Sequence, residues 1–191
     1  MPADSYGIIV EGGYDSAVYS ALIHKLASHE VQILPRICEG RPGVLKKFPG
    51  YLEAFRYQLD VAPIDMAIVI VDADGKDPTA LEADMRTKVA TRRYRFAVHV
   101  YAVANAMEAW LLADPDTVNR AMQFRTSKRV AKTHHAPETL PHPKLLLQQL
   151  LTGIGVDYTA TVAAEIAQQI DPQVLAGKCP RFRDFAELVD C

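Results

Sequence analysis

Cysteine is scarce and scattered, with Cys38, Cys179 and Cys191 making up the whole supply of three. No CxxC and no Cys/His pair at metal-ligand spacing occurs, which excludes a disulfide-framed secreted fold and points to reduced thiols in a reducing compartment. Excess charge is also lacking: 21 Lys and Arg against 23 Asp and Glu leave a formal net charge of −2. Bulk charge therefore cannot hold this chain to nucleic acid, and any such binding must come from a local patch. No apolar run approaches the ~20 residues of a membrane span. The segment from Met1 to Tyr6 is polar and the first apolar run is only Ile8 to Val10, so a secretory signal is not read here. The expected location is the cytoplasm, with no membrane partner.

What is present is the material for one good core. Hydrophobic residues form 49% and charged residues 23% of 191 positions, ordinary values for a globular domain with a modest extension. The first hundred residues alternate β-branched runs with amphipathic stretches, the pattern of a parallel sheet covered by helices. Gly7-Ile8-Ile9-Val10 reads as a buried strand, followed by a helix from about Ser16 to Ser28 with Asp15 or Ser16 as its cap. Val31 to Leu34 supplies a second strand. A Pro/Gly-rich connection from Glu39 to Pro49, carrying Arg41, Lys46 and Lys47, then leads to a helix containing Leu52, Phe55, Arg56 and Leu59. Met66 to Val71 is an unbroken apolar run that belongs at the sheet centre. Thr79 to Thr91 reads as a surface helix, Phe96 to Val103 as a fourth strand, and Ala104 to Leu112 as a helix that stops near Asp114-Pro115. Beyond it come helices without a convincing strand, at Lys144 to Leu151, Thr159 to Ile170 and Phe182 to Val189, with a polar loop from about Thr133 to Pro143. The expected architecture is α/β, a central, mostly parallel four-stranded sheet flanked by helices over residues 1–114, with a helical extension over 115–191 packed on the same core.

Functional groups of open α/β sheets gather past the carboxyl ends of the strands, and acids stand at those positions. Glu11 follows the first strand, and Gly12 and Gly13 permit a tight turn and close approach of a phosphate or metal-bound ligand. Asp72-Ala73-Asp74-Gly75 follows the central run. Alternation along an extended chain would point Asp72 and Asp74 to one side, where both could reach one hard cation. Carboxylates crowded at one edge repel unless a cation neutralises them, so the clustering predicts Mg²⁺ or Mn²⁺ at Glu11, Asp72 and Asp74. Such a metal would stabilise charge on a phosphoryl group and activate water. A DxD after a strand is also a common capping or turn device; its pairing with a Glu on a second strand favours the metal reading.

Val10-Glu11-Gly12-Gly13-Tyr14-Asp15 together with Ile70-Val71-Asp72-Ala73-Asp74 resembles the Toprim signature of topoisomerases, primases and OLD-type nucleases. The resemblance implies a Toprim-like, Rossmann-like sheet, a Glu acting as acid/base or metal partner, and a DxD pair binding Mg²⁺. Met107-Glu108-Ala109-Trp110-Leu111-Leu112-Ala113-Asp114, Pro143-Lys144-Leu145-Leu146 and Cys179-Pro180-Arg181-Phe182 are similar to a bacterial Toprim-like family catalogued as a domain of unknown function. That similarity spans nearly the whole chain. Some Toprim relatives act beside ATPases in phage defence, which implies an ATPase as a partner by analogy.

Glu108 is read as a fourth acid of the site in preference to a surface partner of an Arg, Trp110 as a core anchor, and Asp15 as a helix cap in preference to a supporting acid of the site. Arg41 and Lys46, in a loop expected at the same sheet edge, are candidates for a substrate phosphate together with Gly12 and Gly13. Two basic groups, Lys88/Arg92/Arg93/Arg95 and Arg125/Lys128/Arg129/Lys132, could track a phosphate backbone, though such runs usually face solvent. His134, His135 and His142 sit in a Pro-rich loop without partner cysteines, a weak zinc pattern. A haloacid-dehalogenase phosphatase would carry its DxD on the first strand with Thr or Val where Lys76 stands, and a receiver domain would need an acid pair after that strand; neither fits. The expected function is a Mg²⁺-dependent phosphodiester-acting enzyme, a nuclease in phage defence or DNA processing, with nucleic acid as partner. The competing expectation is a non-catalytic Toprim-fold partner of an ATPase.

Overall fold

The computed structural model describes residues 3–57, 63–130 and 134–190. Four parallel strands, β1 (Ser5–Val10), β2 (Gln32–Ile37), β3 (Met66–Asp72) and β4 (Ala97–Val103), form one sheet in the order β2-β1-β3-β4. The two central strands are buried along almost their whole length, as β-branched runs covered on both faces must be. The α/β architecture expected from the alternating pattern is the one observed.

Period-two alternation divides the sheet between two cores. On one face Ile9, Ala67, Val69, Val71 and Ala102 pack against α2 (Gly40–Tyr57) and α3 (Pro78–Thr87). On the other, Ile8, Val10, Ile68, Ile70 and Val103 pack against α1 (Gly13–Leu26), α4 (Glu108–Leu111) and the helices that follow. Those are α5 (Pro115–Met122), α6 (Pro143–Gly153), α7 (Ala160–Gln169), α8 (Pro172–Lys178) and α9 (Pro180–Val189). Trp110 is 1% exposed and sits among the rings of Tyr19, Tyr101, Phe182 and Phe185, its Nε1 donating to Glu138 at 2.8 Å. Glu138 also accepts from the backbone N–H groups of Arg181 and Phe182, so one carboxylate joins the Trp ring to the first turn of α9. The extension thus shares the core of the sheet.

Residues 40–49, expected as a loop, are instead the first half of α2. Pro42 lies in the first turn, where backbone N–H groups have no helical partner anyway. Pro49 does interrupt the ladder, but Val44, Phe48, Leu52 and Phe55 recur at helical spacing and are all buried. Each such burial is worth about 1.5–3 kcal/mol, so together they exceed the roughly 3 kcal/mol of an interior proline. Gly7 is required beneath this helix, because a Cβ there would stand 2.7 Å from the Phe55 ring. Two helices were not foreseen, α5 and α8, and both begin with Asp-Pro: Asp114 and Asp171 accept from backbone N–H groups of the first turn. Asp114-Pro115 opens a helix and does not merely close one. Helix α4 is a single turn, where a longer one from Ala104 was expected. Leu59, Lys132, Thr133 and Cys191 lie outside the described residues.

The open edge of β4 is closed by side chains. Glu82 of α3 accepts from the Ala102 N–H at 3.0 Å, and Arg181 donates to the Ala102 carbonyl at 2.8 Å while pairing with Glu82. The edge groups that would template another strand are thereby occupied at this residue.

Candidate functional site

In this strand order the chain leaves β1 toward β2 on one side and crosses back to β3 on the other, so a crevice opens between the carboxyl ends of β1 and β3. Glu11 and Asp72 emerge there. The Asp72 backbone N–H donates to Glu11 Oε1 at 2.9 Å, carrying the β1–β3 ladder on through a side chain. A cavity of about 540 Å³ lies over this point, lined by Glu11, Asp15, Asp72, Asp74 and Glu108 and by Lys144 of α6. Gly12 lines it as well; a Cβ there would stand 3.3 Å from Asp15 Oδ2, so the absence of a side chain makes room for that carboxylate. Nothing lies within 4 Å of a Cβ placed on Gly13, and Gly13 is not part of the lining.

Electrostatics separate these acids into an inner and an outer group. Burial pushes Asp72 well above the ordinary carboxylate range, reinforced by Asp15, Glu11, Glu108 and Asp74 in that order. Asp15 rises to about 6, through burial first and then the charges of Glu108 and Glu11. Glu11 is raised by burial, against hydrogen bonds from the Asp72 and Arg41 backbones that favour its ionised form. Glu108, 2% exposed, is raised by burial and partly compensated by Lys144 and by Tyr158, whose hydroxyl donates to Glu108 Oε1 at 3.0 Å. The inner group is therefore Asp72, Asp15, Glu11 and Glu108.

Asp74 belongs to the rim. Its φ of 48° places it in the left-handed region, with Gly75 after it at 78°, so the extended alternation expected to align it with Asp72 ends at Ala73. It reaches the cavity through a turn and pairs with Arg41 at 3.0 Å, its side chain 59% exposed. Arg41 Nη1 also donates to the carbonyls of Asp72 and Ala73, both at 3.1 Å, so it fastens the turn after β3. Lys46 is exposed on α2 and does not line the cavity. The basic group around Lys88 to Arg95 precedes β4 and so lies toward the opposite end of the sheet from Glu11 and Asp72; within it Arg92 pairs with Glu53 and Lys88 with Asp84.

Residues 10–190 match a protein family described as Domain of unknown function (DUF4276). The chain belongs to that family. The matched span opens at the last residue of β1 and closes after α9, so the helices over 115–190 are part of the DUF4276 unit, and so are all the cavity acids. Neither the curated proteins nor the solved structures contain a match to the chain.

The lining acids of this DUF4276 chain offer carboxylate oxygens, the donors that suit a hard cation such as Mg²⁺ or Mn²⁺. Among the described residues no three His, Cys, Asp or Glu side chains close on one point as a ligand set. Glu11 is turned to the backbone and Asp74 to Arg41. Coordination by three of them therefore needs a side-chain rotation, and Asp74 is the most exposed of the five acids. Among the histidines, only His142 lines the cavity. Asp15 is not the cap that its place in the sequence suggests: Gly12 is the N-cap, and Asp15 lies inside α1 with its carboxylate in the acid cluster. Its spacing of four from Glu11 across a glycine pair was a usable signal. Tyr158 and Lys144 reach Glu108 from distant sequence and had no local signature.

Proposed function

We propose that this DUF4276 chain is a Toprim-type, Mg²⁺- or Mn²⁺-dependent enzyme acting on phosphodiesters, a nuclease. The observation that carries the reading is the convergence of Asp72, Glu11, Asp15 and Glu108 on one cavity of about 540 Å³ at the β1/β3 switch point. Burial holds all four above their ordinary range, and the neighbouring acids raise Asp72 and Asp15 further. A divalent cation relieves that repulsion, and its release would restore it. Asp72 and Glu11 would hold the ion, with Asp74 turning in from Arg41 and Asp15 and Glu108 completing the oxygen set. When bound, the ion supplies charge stabilisation at the phosphoryl group and a more acidic water. The chain's own residues do the rest. Tyr158 fixes the Glu108 carboxylate through its hydroxyl. The Asp72 N–H orients Glu11. Arg41 holds the turn that delivers Asp72 and Asp74. Asp15, held at about 6 by burial and by the charges of Glu108 and Glu11, would give up its proton as the cation binds.

Incubation of the pure chain with single- and double-stranded DNA and RNA in Mg²⁺ or Mn²⁺ tests this reading, with cleavage expected and lost in Asp72→Asn. No cleavage of any substrate, together with no Mn²⁺ binding by calorimetry, removes it. A second reading, a non-catalytic Toprim-fold partner of an ATPase, is favoured by the absence of a closed ligand set among the described residues. Under that reading the biological function survives Asp72→Asn and an ATPase co-purifies with the chain.

A further inference from the structure

We propose that Lys144 is the residue that takes the substrate's phosphate, an assignment that rests on the phosphodiester reading of the same cavity and places its anion contact on the C-terminal helices. A cavity lined by carboxylates repels a polyanion, so the protein must offer a cation there besides any metal. Arg41, the first choice from sequence, does not line the cavity, and its Nη1 donates to two backbone carbonyls that fasten the turn after β3. Lys46 faces away. Among the described residues that line the cavity, Lys144 is the one lysine or arginine.

The surroundings of Lys144 suit a residue awaiting an anion. Its Nζ stands 4.0 Å from Glu108 Oε1, too far for a hydrogen bond, and 4.9 Å from the centre of the Tyr14 ring. Tyr14 in turn rests on Tyr158, ring centres 5.0 Å apart, and donates to the Tyr158 carbonyl at 3.2 Å. The ammonium is thus located by one carboxylate and one aromatic face, with its side chain 53% exposed and its donors not committed to any described residue. Helix α6 itself is rigidly seated, because Leu147 and Leu151 are fully buried in the core below. Gln148 lies one turn beyond Lys144 on the same helical face and also lines the cavity, adding an amide donor. A compact ammonium on a flexible stem is a common phosphate ligand. The volume of about 540 Å³ lies within the range of small-ligand sites and admits a nucleotide-sized unit between α6 and the acids.

The test uses the full chain and Lys144→Met and Lys144→Arg, with Ca²⁺ as the cation in the binding assays. Probes are fluorescein-labelled hexathymidylate and hexauridylate, followed by anisotropy, and thymidine 3′,5′-bisphosphate as competitor. Mn²⁺ affinity is measured separately by calorimetry. Lys144→Met is expected to weaken probe binding at least tenfold and to flatten the slope of log affinity against log salt by about 0.7, one phosphate contact on a single strand. Lys144→Arg is expected to stay within threefold of wild type. Preference among the three probes then identifies a DNA strand, an RNA strand or a free nucleotide as the source of the phosphate. Unchanged affinity and slope in Lys144→Met overturn the proposal, as does failure of the wild-type chain to bind any probe. Loss of probe binding in Lys144→Met while wild type gives no Mn²⁺ heat upholds the Lys144 contact and sinks the metal reading, so the two failures are distinguishable.

Discussion

In metal-free buffer at pH 7.5, Asp15→Asn is expected to make the chain more stable than wild type. Asp15 rises from 3.8 unfolded to about 6 in the folded state, so the folded chain binds its proton more tightly than the unfolded one. The stability that this gives is fully present below pH 3.8 and is lost as pH rises through about 6. A difference of about two pKa units at 1.36 kcal/mol each corresponds to roughly 3 kcal/mol of destabilisation in the ionised form. For a chain of this size that amounts to a shift on the order of 6–12 °C in Tm. Asparagine keeps the shape and an acceptor oxygen but has no charge to repel Glu108 and Glu11. Thermal unfolding followed by circular dichroism in EDTA, at pH 4 and pH 7.5, reads the difference. The two proteins should nearly coincide at pH 4 and separate at pH 7.5, with the variant higher. Addition of Mg²⁺ at pH 7.5 should raise wild type, by about 2.7 kcal/mol at a hundredfold excess over Kd, and raise the variant less. A variant that is equal to or less stable than wild type at pH 7.5 in EDTA refutes the reasoning.

Other residues give sharper structural tests. Asp72→Asn should also raise stability in EDTA at neutral pH, since burial and four neighbouring acids oppose its ionisation, and it should eliminate Mn²⁺ heat in calorimetry. Tyr158→Phe deletes the donor to a carboxylate that is 2% exposed; denaturant unfolding should show a loss of about 1–3 kcal/mol. Arg181→Met takes one of two guanidinium partners from Glu82, 6% exposed, leaving Arg86 at 3.0 Å, and frees the Ala102 carbonyl at the β4 edge. A loss of about 1–3 kcal/mol is expected, with increased aggregation in light scattering as the edge opens.

Much of the frame could be read from local pattern. The apolar run Met66 to Val71 marked the central strand, and the acids at its end and after Val10 stand where parallel-strand geometry sets functional groups. Where the pattern misled, the reason is physical. Proline and glycine between residues 40 and 50 suggested a loop because local propensity was weighed above the stripe of Val44, Phe48, Leu52 and Phe55, whose burial decides the helix. Asp74 looked equivalent to Asp72 only as long as the chain stayed extended; the left-handed turn at Asp74-Gly75 breaks the equivalence. Asp15 reads as a cap before a supporting acid because the two have the same residue type at the same helix end. Lys144 and Tyr158 could not be found locally at all, since their meeting with Glu108 depends on how α6 and the segment before α7 pack on α4.

Crystals soaked in Mn²⁺ and measured at the manganese edge test the central claim most directly. One anomalous peak is expected in the cavity, within coordination distance of Asp72 and Glu11, with Asp74 turned away from Arg41. Crystals with no peak there, and with Asp74 still paired to Arg41 at full Mn²⁺ concentration, would contradict it.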